Sequence, residues 1–394
     1  MNLVPKEELQ NRLRLFRGKM DELCRGWSVV LIVNKVNIFY FTGTQQNGLL
    51  VIPKDGDAVF FVRRSFYRAE LESGFEKIVK INSFRDIPPV TGDLGKTVYM
   101  EKEFVPLAYF ERMNKYFGFE TVLSCDTAVA AARAVKTKYE LDIIRMCGHI
   151  HKETMETYIP SIISGGMSES ELGALILKHM IDRGHHGVTR IGSFNSELYL
   201  GQIGFGDNSM YYNTFDGPGG VKGFCPAVPL MGNPERRLKS NELVSVDIGC
   251  GLEGYHTDKT MTYAFGDLPD EVYEYHEECA RILDETVKRM KPGNIPSKVY
   301  EEVMSGVDEK FVEYFMGYGD ERVKFLGHGV GLVIDEYPVF AKGFDLPLEE
   351  NMVMAVEPKR GIPGVGLVGL ENTYLVTRDG GVSLTGNERE IIRL

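Results

Sequence analysis

A chain of 394 residues is too long for one ordinary core, so its length points to two domains. Hydrophobic residues at 43%, charged residues at 26% and 43 glycines describe a globular, turn-rich protein and exclude a disordered or fibrous one. A formal net charge of -11, with no cluster of Lys and Arg, argues against a nucleic-acid surface and favours a small or cationic ligand.

The chain opens on MNLVPKEELQNRLRLFRGKMDEL, which is charged throughout and lacks the apolar core of a signal peptide. Leu13, Phe16, Met20 and Leu23 give it an amphipathic face. The β-rich runs SVVLIV, NIFYF, GLLVI, AVFFV and GKTVYM follow, separated by turn residues, and predict a small α/β unit over residues 1–130. The six cysteines have no CxxC spacing, so neither a zinc knuckle nor a disulfide framework is indicated. No apolar run approaches the length of a membrane span, and the expected location is a reducing cytoplasm.

At AVKTKYELDIIRMCGHIHKETMETYI the character changes to a long charged helix with Leu141, Ile144 and Cys147 on its apolar side. A second unit, residues 131–394, is expected to begin there. Ser168 and Glu171 have the spacing of a capping box ahead of Leu172, Leu175, Ile176 and His179. Further helices are predicted over residues 271–290, ended by Pro292 and Gly293, and over residues 297–315. Glycine-rich β segments between them make the unit α+β, with helices outside a curved antiparallel sheet. His185 and His186 read as a polar turn, and His149 and His151 as solvated positions on the long helix.

Two segments carry candidate chemistry. In LVSVDIGCGLEGYHTDKTMTYAF, alternating runs flank the turn GLEG; a hairpin centred on Leu252 and Glu253 sets Asp247 opposite Asp258. Like charges so close need a cation or a shared proton, although alone the pair reads as surface acids on an edge hairpin. In MVMAVEPKRGIPGVGLVGLENTYLVT, Glu357 and Glu371 sit inside apolar β runs joined by a Pro/Gly-rich loop, where acids are rarely buried without partners. Between the pairs lies His328 in GHGVGLVIDEYP, with small neighbours that let the backbone approach a site. Four carboxylates and one imidazole suit a divalent Mn, Fe, Co or Zn ion. They also suffice for two ions about 3.5–4 Å apart that share a nucleophilic hydroxide. His256, two residues before Asp258, shares its face and is expected to support the site from behind.

The order and spacing of Asp247, Asp258, His328, Glu357 and Glu371, within VDIG, GYHTDKTMT, GHGVGL, AVEP and GLEN, resemble the creatinase/prolidase/methionine aminopeptidase family. That resemblance covers nearly the whole chain. It implies a pita-bread catalytic domain behind a creatinase-type N-terminal domain, and a homodimer acting as an Xaa-Pro peptidase-like hydrolase on a small peptide-like or amide substrate. It also implies that the five residues hold two metal ions, that Glu357 shuttles the proton, and that Thr260 stands behind the ligands. Leu230 falls where the family has a substrate-side histidine, Asp335 where the peptidases have another, and Gly369 where prolidases carry an arginine. An ionised Asp335 cannot donate to an oxyanion, which opens three other roles: a protonated donor, a general base in an elimination, or a partner for a cationic group. The dimethylsulfoniopropionate lyase of the same fold is similar here, with an acid in a comparable run acting as base. A lyase and a non-catalytic binding protein are therefore the alternatives to the hydrolase.

Overall fold

Helix Lys6–Leu23 buries Leu9, Arg12, Phe16 and Met20 in the computed structural model, which describes residues 3–194, 196–212, 217–319 and 321–394. Leu13 and Leu23 of the expected face are only half-buried, because the buried stripe is set one turn earlier and includes Arg12, bonded to Glu8 and to the Tyr40 carbonyl. The chain divides into two compact units, Met1–Arg133 and Ala134–Leu394.

The first unit is a six-stranded mixed sheet in the spatial order Ile78–Lys80, Val59–Val62, Gly48–Pro53, Val29–Ile32, Thr97–Met100, Thr121–Ser124. NIFYF, expected as a strand, is the helix Lys35–Thr42. Its ends overrule its aromatic β propensity: the Asn34 side chain accepts from the N–H groups of Val36 and Asn37, and Gly43 closes the last turn at φ 75°.

The second unit opens on helix Lys138–Glu153, started by a capping box of Thr137 and Glu140. Helix Glu169–Asp182 begins with the expected box of Ser168 and Glu171. Helix Asp270–Lys288 matches its prediction closely, whereas the predicted helix over 297–315 is two pieces, Pro296–Ser305 and Glu309–Val312, interrupted at Gly306. Outside these helices lie a four-stranded sheet around the hairpin Glu242–Leu252/Tyr255–Phe265 and a five-stranded antiparallel sheet. In the larger sheet the order is Glu336–Ala341, Phe325–Gly329, Val353–Val356, Asn372–Thr377, Gly380–Ser383. The sheets meet where Thr260 and Glu371 exchange both backbone hydrogen bonds, N to O at 3.2 and 3.1 Å. Helix Asp270–Lys288 supplies Cys279, Ile282 and Leu283 to the apolar core behind the larger sheet.

Candidate active site

Two hairpins deliver the acids. The first turns through Glu253 and Gly254 at φ 49° and 94°, the double positive φ that suits a two-residue turn to the twist of its strands. Asp247 therefore faces Thr260, and Asp258 faces Gly249, rather than each other. The expected register was off by two residues, but a shift of two keeps both acids on one face, as diagonal neighbours. The second hairpin changes sheets midway. Val356 pairs with Asn372 in the large sheet, and Lys359 pairs with Gly369 in a separate two-stranded ribbon. Glu357 and Glu371 stand in the step between them, where their backbones bond to Leu326 and Thr260.

His328 comes from strand Phe325–Gly329, next to Val353–Val356, and its Nε2 lies 3.3 Å from Glu357 Oε1, 3.9 Å from Asp258 Oδ2 and 4.0 Å from Glu371 Oε1. Thr260 Oγ1 donates to Glu371 Oε2 at 2.8 Å. Asp247, Asp258, His328, Glu357 and Glu371 all line one cavity of about 380 Å³, whose wall continues through Ile191, Leu198, Phe325, Ile334 and Phe344.

A sixth residue, absent from the sequence reading, sits among them. Lys359 Nζ donates to Glu357 Oε2 at 2.8 Å, Glu371 Oε2 at 2.9 Å and Asp247 Oδ2 at 3.0 Å. Its side chain is 1% exposed and lies behind the carboxylates, outside the cavity wall. The signal was available: residues two apart on a strand share a face, so Lys359 had to follow Glu357 toward the acids.

The charges respond to one another. Burial would lower Lys359, but the charges of Asp247, Glu357 and Glu371 hold it well above its ordinary range. Burial would raise Glu357, yet the charge of Lys359 and the His328 bond bring it down to about 2. Burial and the charge of Glu357 push Glu371 up to about 7, and burial with the charges of Glu371 and Asp247 pushes Asp258 well up. Burial opposes charge on His328, but its bond to Glu357 and the surrounding carboxylates lift it to about 10.

Residues at one end of the cluster fit a divalent ion. Asp258, His328 and Glu371 each offer one donor atom, all within 4.8 Å of one another. The Asp258 and Glu371 atoms lie 3.9 and 4.0 Å from His328 Nε2, within twice a bond of about 2.0–2.2 Å to a first-row ion. Glu371 Oε1 is buried without a hydrogen-bond partner among the described residues, a costly state that a cation relieves. At the other end, the oxygens that a second ion would need already surround Lys359 Nζ.

Other expectations need correction. Leu230 is buried but forms no part of the cavity wall; Gly201 and Gln202 stand there, and the Leu230 backbone packs so closely on Gly223 that a Cβ on the glycine would come within 2.3 Å of Leu230 N. Asp335 does line the cavity, but Oδ1 accepts from the Gly192 N–H and Oδ2 from Ser193 Oγ at 3.0 Å. His256 bonds the Gly331 carbonyl at 3.1 Å and accepts from the Arg190 N–H at 3.2 Å, so it supports the loop after His328 and not a carboxylate. His151 is buried, not solvated, with Nδ1 meeting Thr257 Oγ1; His185, read as part of a polar turn, is buried too, and its Nδ1 accepts from the Gly251 N–H. The glycine- and tyrosine-rich stretch 191–224, whose composition suits either a pocket-lining loop or an ordinary surface loop, lies partly outside the described residues.

Three buried carboxylates, the half-buried Asp247 and an imidazole on the wall of one cavity in an α+β fold form the donor set of a metallohydrolase site. Residues 142–378 match the model of metallopeptidase family M24, and residues 12–135 match the creatinase/prolidase N-terminal domain. The chain belongs to metallopeptidase family M24, and its catalytic unit has the pita-bread fold. It is 27% identical over 388 residues, 98% of this chain and all of the other, to an Xaa-Pro dipeptidase of Pyrococcus furiosus. The solved prolidase of that organism superposes with a TM-score of 0.74 at 26% identity, over 95% of this chain and 100% of that one. An Xaa-Pro dipeptidase of Bacillus anthracis has the same fold, with a TM-score of 0.80 at 23% identity over 98% of this chain and 100% of that one. By family, then, the protein is a metallohydrolase. Among the described residues no helix is long and apolar enough to cross a membrane.

Proposed function

We propose that the protein hydrolyses the amide bond of small peptide-like substrates, with Xaa-Pro dipeptides the first to test, using a divalent ion of the Mn, Fe, Co or Zn series. The observation that carries this is the convergence of Asp258, His328 and Glu371 within 4.8 Å at the floor of an otherwise largely apolar cavity. When bound there, the ion supplies Lewis-acid polarisation of the carbonyl and a water acidified toward neutral pH.

The chain's own groups do the rest. Glu357, on the cavity wall, takes the proton of the attacking water in this reading and returns it to the leaving nitrogen. Lys359 fixes one of its oxygens and His328 meets the other, so the carboxylate is oriented at some cost in basicity. Thr260 holds Glu371 through Oε2, leaving Oε1 turned toward His328. The apolar wall excludes water from the bound substrate. Asp335 already accepts from two protein donors, which disfavours its use as a base.

The test is proline release from a panel of Xaa-Pro dipeptides, read by mass. Release should need added divalent metal, stop with a chelator and fall to background in Asp258→Ala. Release that survives Asp258→Ala, or metal-loaded protein inert toward the dipeptides and a wider amide panel, overturns the proposal.

A further inference from the structure

We infer that Lys359 is a tethered cation standing in for one of two metal ions, so that the site takes a single divalent ion per chain and Asp247 serves the lysine instead of a metal. This rests on the reading above that the cluster binds a divalent ion.

Three observations converge. The first is where the ammonium sits. Nζ lies 2.8–3.0 Å from oxygens of Asp247, Glu357 and Glu371 at once. An ion bound to those oxygens at about 2.0–2.2 Å would fall far inside the roughly 3.5–4 Å that neighbouring cations keep even when carboxylates bridge them.

The second is how the carboxylates divide. Glu357 gives Oε2 to the lysine and turns Oε1 to His328 Nε2 at 3.3 Å; Glu371 gives Oε2 to the lysine and turns Oε1 toward His328 at 4.0 Å. Two carboxylates thus each bridge two cationic positions, and a covalently attached ammonium fills one. The other position keeps Asp258, His328 and the unpartnered Glu371 Oε1.

The third is that the lysine cannot readily leave. It is fully buried at the start of the ribbon strand Lys359–Ile362, behind the cavity wall. Gly369, directly across the ribbon, makes the space: a Cβ there would lie 2.7 Å from Lys359 Cα and 3.1 Å from its Cγ. Swinging Nζ aside to admit a second ion would leave an ammonium buried without its three partners, a heavy penalty.

The experiment uses the full chain, saturated with Mn(II), freed of excess and read by elemental analysis and electron paramagnetic resonance. The parent should hold one ion per chain with an uncoupled, mononuclear signal. Lys359→Ala should double the stoichiometry to two and give a spin-coupled pair. Asp247→Asn should leave the parent's single ion in place with affinity changed by less than about tenfold, about 1.4 kcal/mol. Two coupled ions in the parent overturn the inference while leaving the metal reading intact. So does loss of the single ion in Asp247→Asn, or a Lys359→Ala protein that folds by circular dichroism but stays at one ion. No ion in parent or variants overturns both. Should Lys359→Ala not fold, the parent's count and the Asp247→Asn affinity still decide.

Discussion

Replacing Lys359 by methionine keeps most of the buried stem and removes the ammonium. In chelator-treated protein, Asp247, Glu357 and Glu371 would then face one another without the donor that now touches all three. Breaking a buried ion pair by removing one partner costs about 3–5 kcal/mol. Proton uptake caps the cost, because Glu371 already lies near 7 and gains a proton cheaply. At about 2–4 °C per kcal/mol for a unit of this size, the metal-free variant should melt about 10 °C below the parent. Adding Mn(II) should raise both by a similar step and preserve the gap, since the methionine side chain still fills the lysine's space. Lys359→Ala is different: a second ion at 100 times its Kd contributes about 2.7 kcal/mol and should close most of the gap. Differential scanning calorimetry with and without chelator measures all of this. A Lys359→Met protein within about 1 kcal/mol of the parent in chelator would refute the reasoning, because the ammonium would then not be what makes the carboxylate cluster tolerable.

Two further outcomes follow from the same geometry. Gly369→Ala puts a Cβ 2.4 Å from the Pro358 carbonyl at a backbone φ of 136°, so denaturant unfolding should show a loss of about 2–4 kcal/mol together with weaker metal binding; an unchanged midpoint would mean that the ribbon yields freely. Acid should also destabilise the catalytic unit by charging its buried histidines: burial lowers His151 and His185, and burial with the nearby His185 and Arg190 charges brings His186 down to about 4. Because these folded values are depressed, the neutral form is the native one. Stability is then full above the unfolded value near 6.5 and falls by about 1.4 kcal/mol per pH unit per histidine until the folded value is reached. Chemical denaturation between pH 7 and pH 4.5 should show that slope, and His186→Gln should reduce it.

The sequence already showed the acids and His328, because each sits in a β run where alternation fixes the face. It did not show the register of the first hairpin. GLEG admits more than one centring, and only the positive φ at both Glu253 and Gly254 selects the two-residue turn. Nor did alternation reveal the kink after Val356, where the chain leaves one sheet for a ribbon and so sets Glu357 across from Glu371. Lys359, two residues after Glu357, is legible in principle, but a lysine beside glycines and prolines resembles a loop. NIFYF failed for the opposite reason: its composition spoke for a strand, while two capping residues outside the run decided for a helix.

Asp335 is the position where the sequence departs most plainly from the peptidase pattern, and the structure gives it a constructional role. Segment 190–193 is stitched to the chain after His328 at several points. The Ile334 N–H donates to the Arg190 carbonyl at 2.7 Å, His256 accepts from the Arg190 N–H, and Asp335 accepts from Gly192 and Ser193. Gly192 permits the approach, since a Cβ there would come within 3.1 Å of both the Asp335 carbonyl and its Oδ1. Ile191, Ser193 and Leu198 are thereby held as cavity wall. A histidine could not accept from both donors at once while keeping an N–H for substrate, whereas a carboxylate has lone pairs for both. The acid thus fixes the wall with oxygens that are both occupied as acceptors. In the proposed hydrolysis, carbonyl polarisation would then fall to the ion that Asp258, His328 and Glu371 would hold, with the Lys359 ammonium 2.9 Å from Glu371 Oε2.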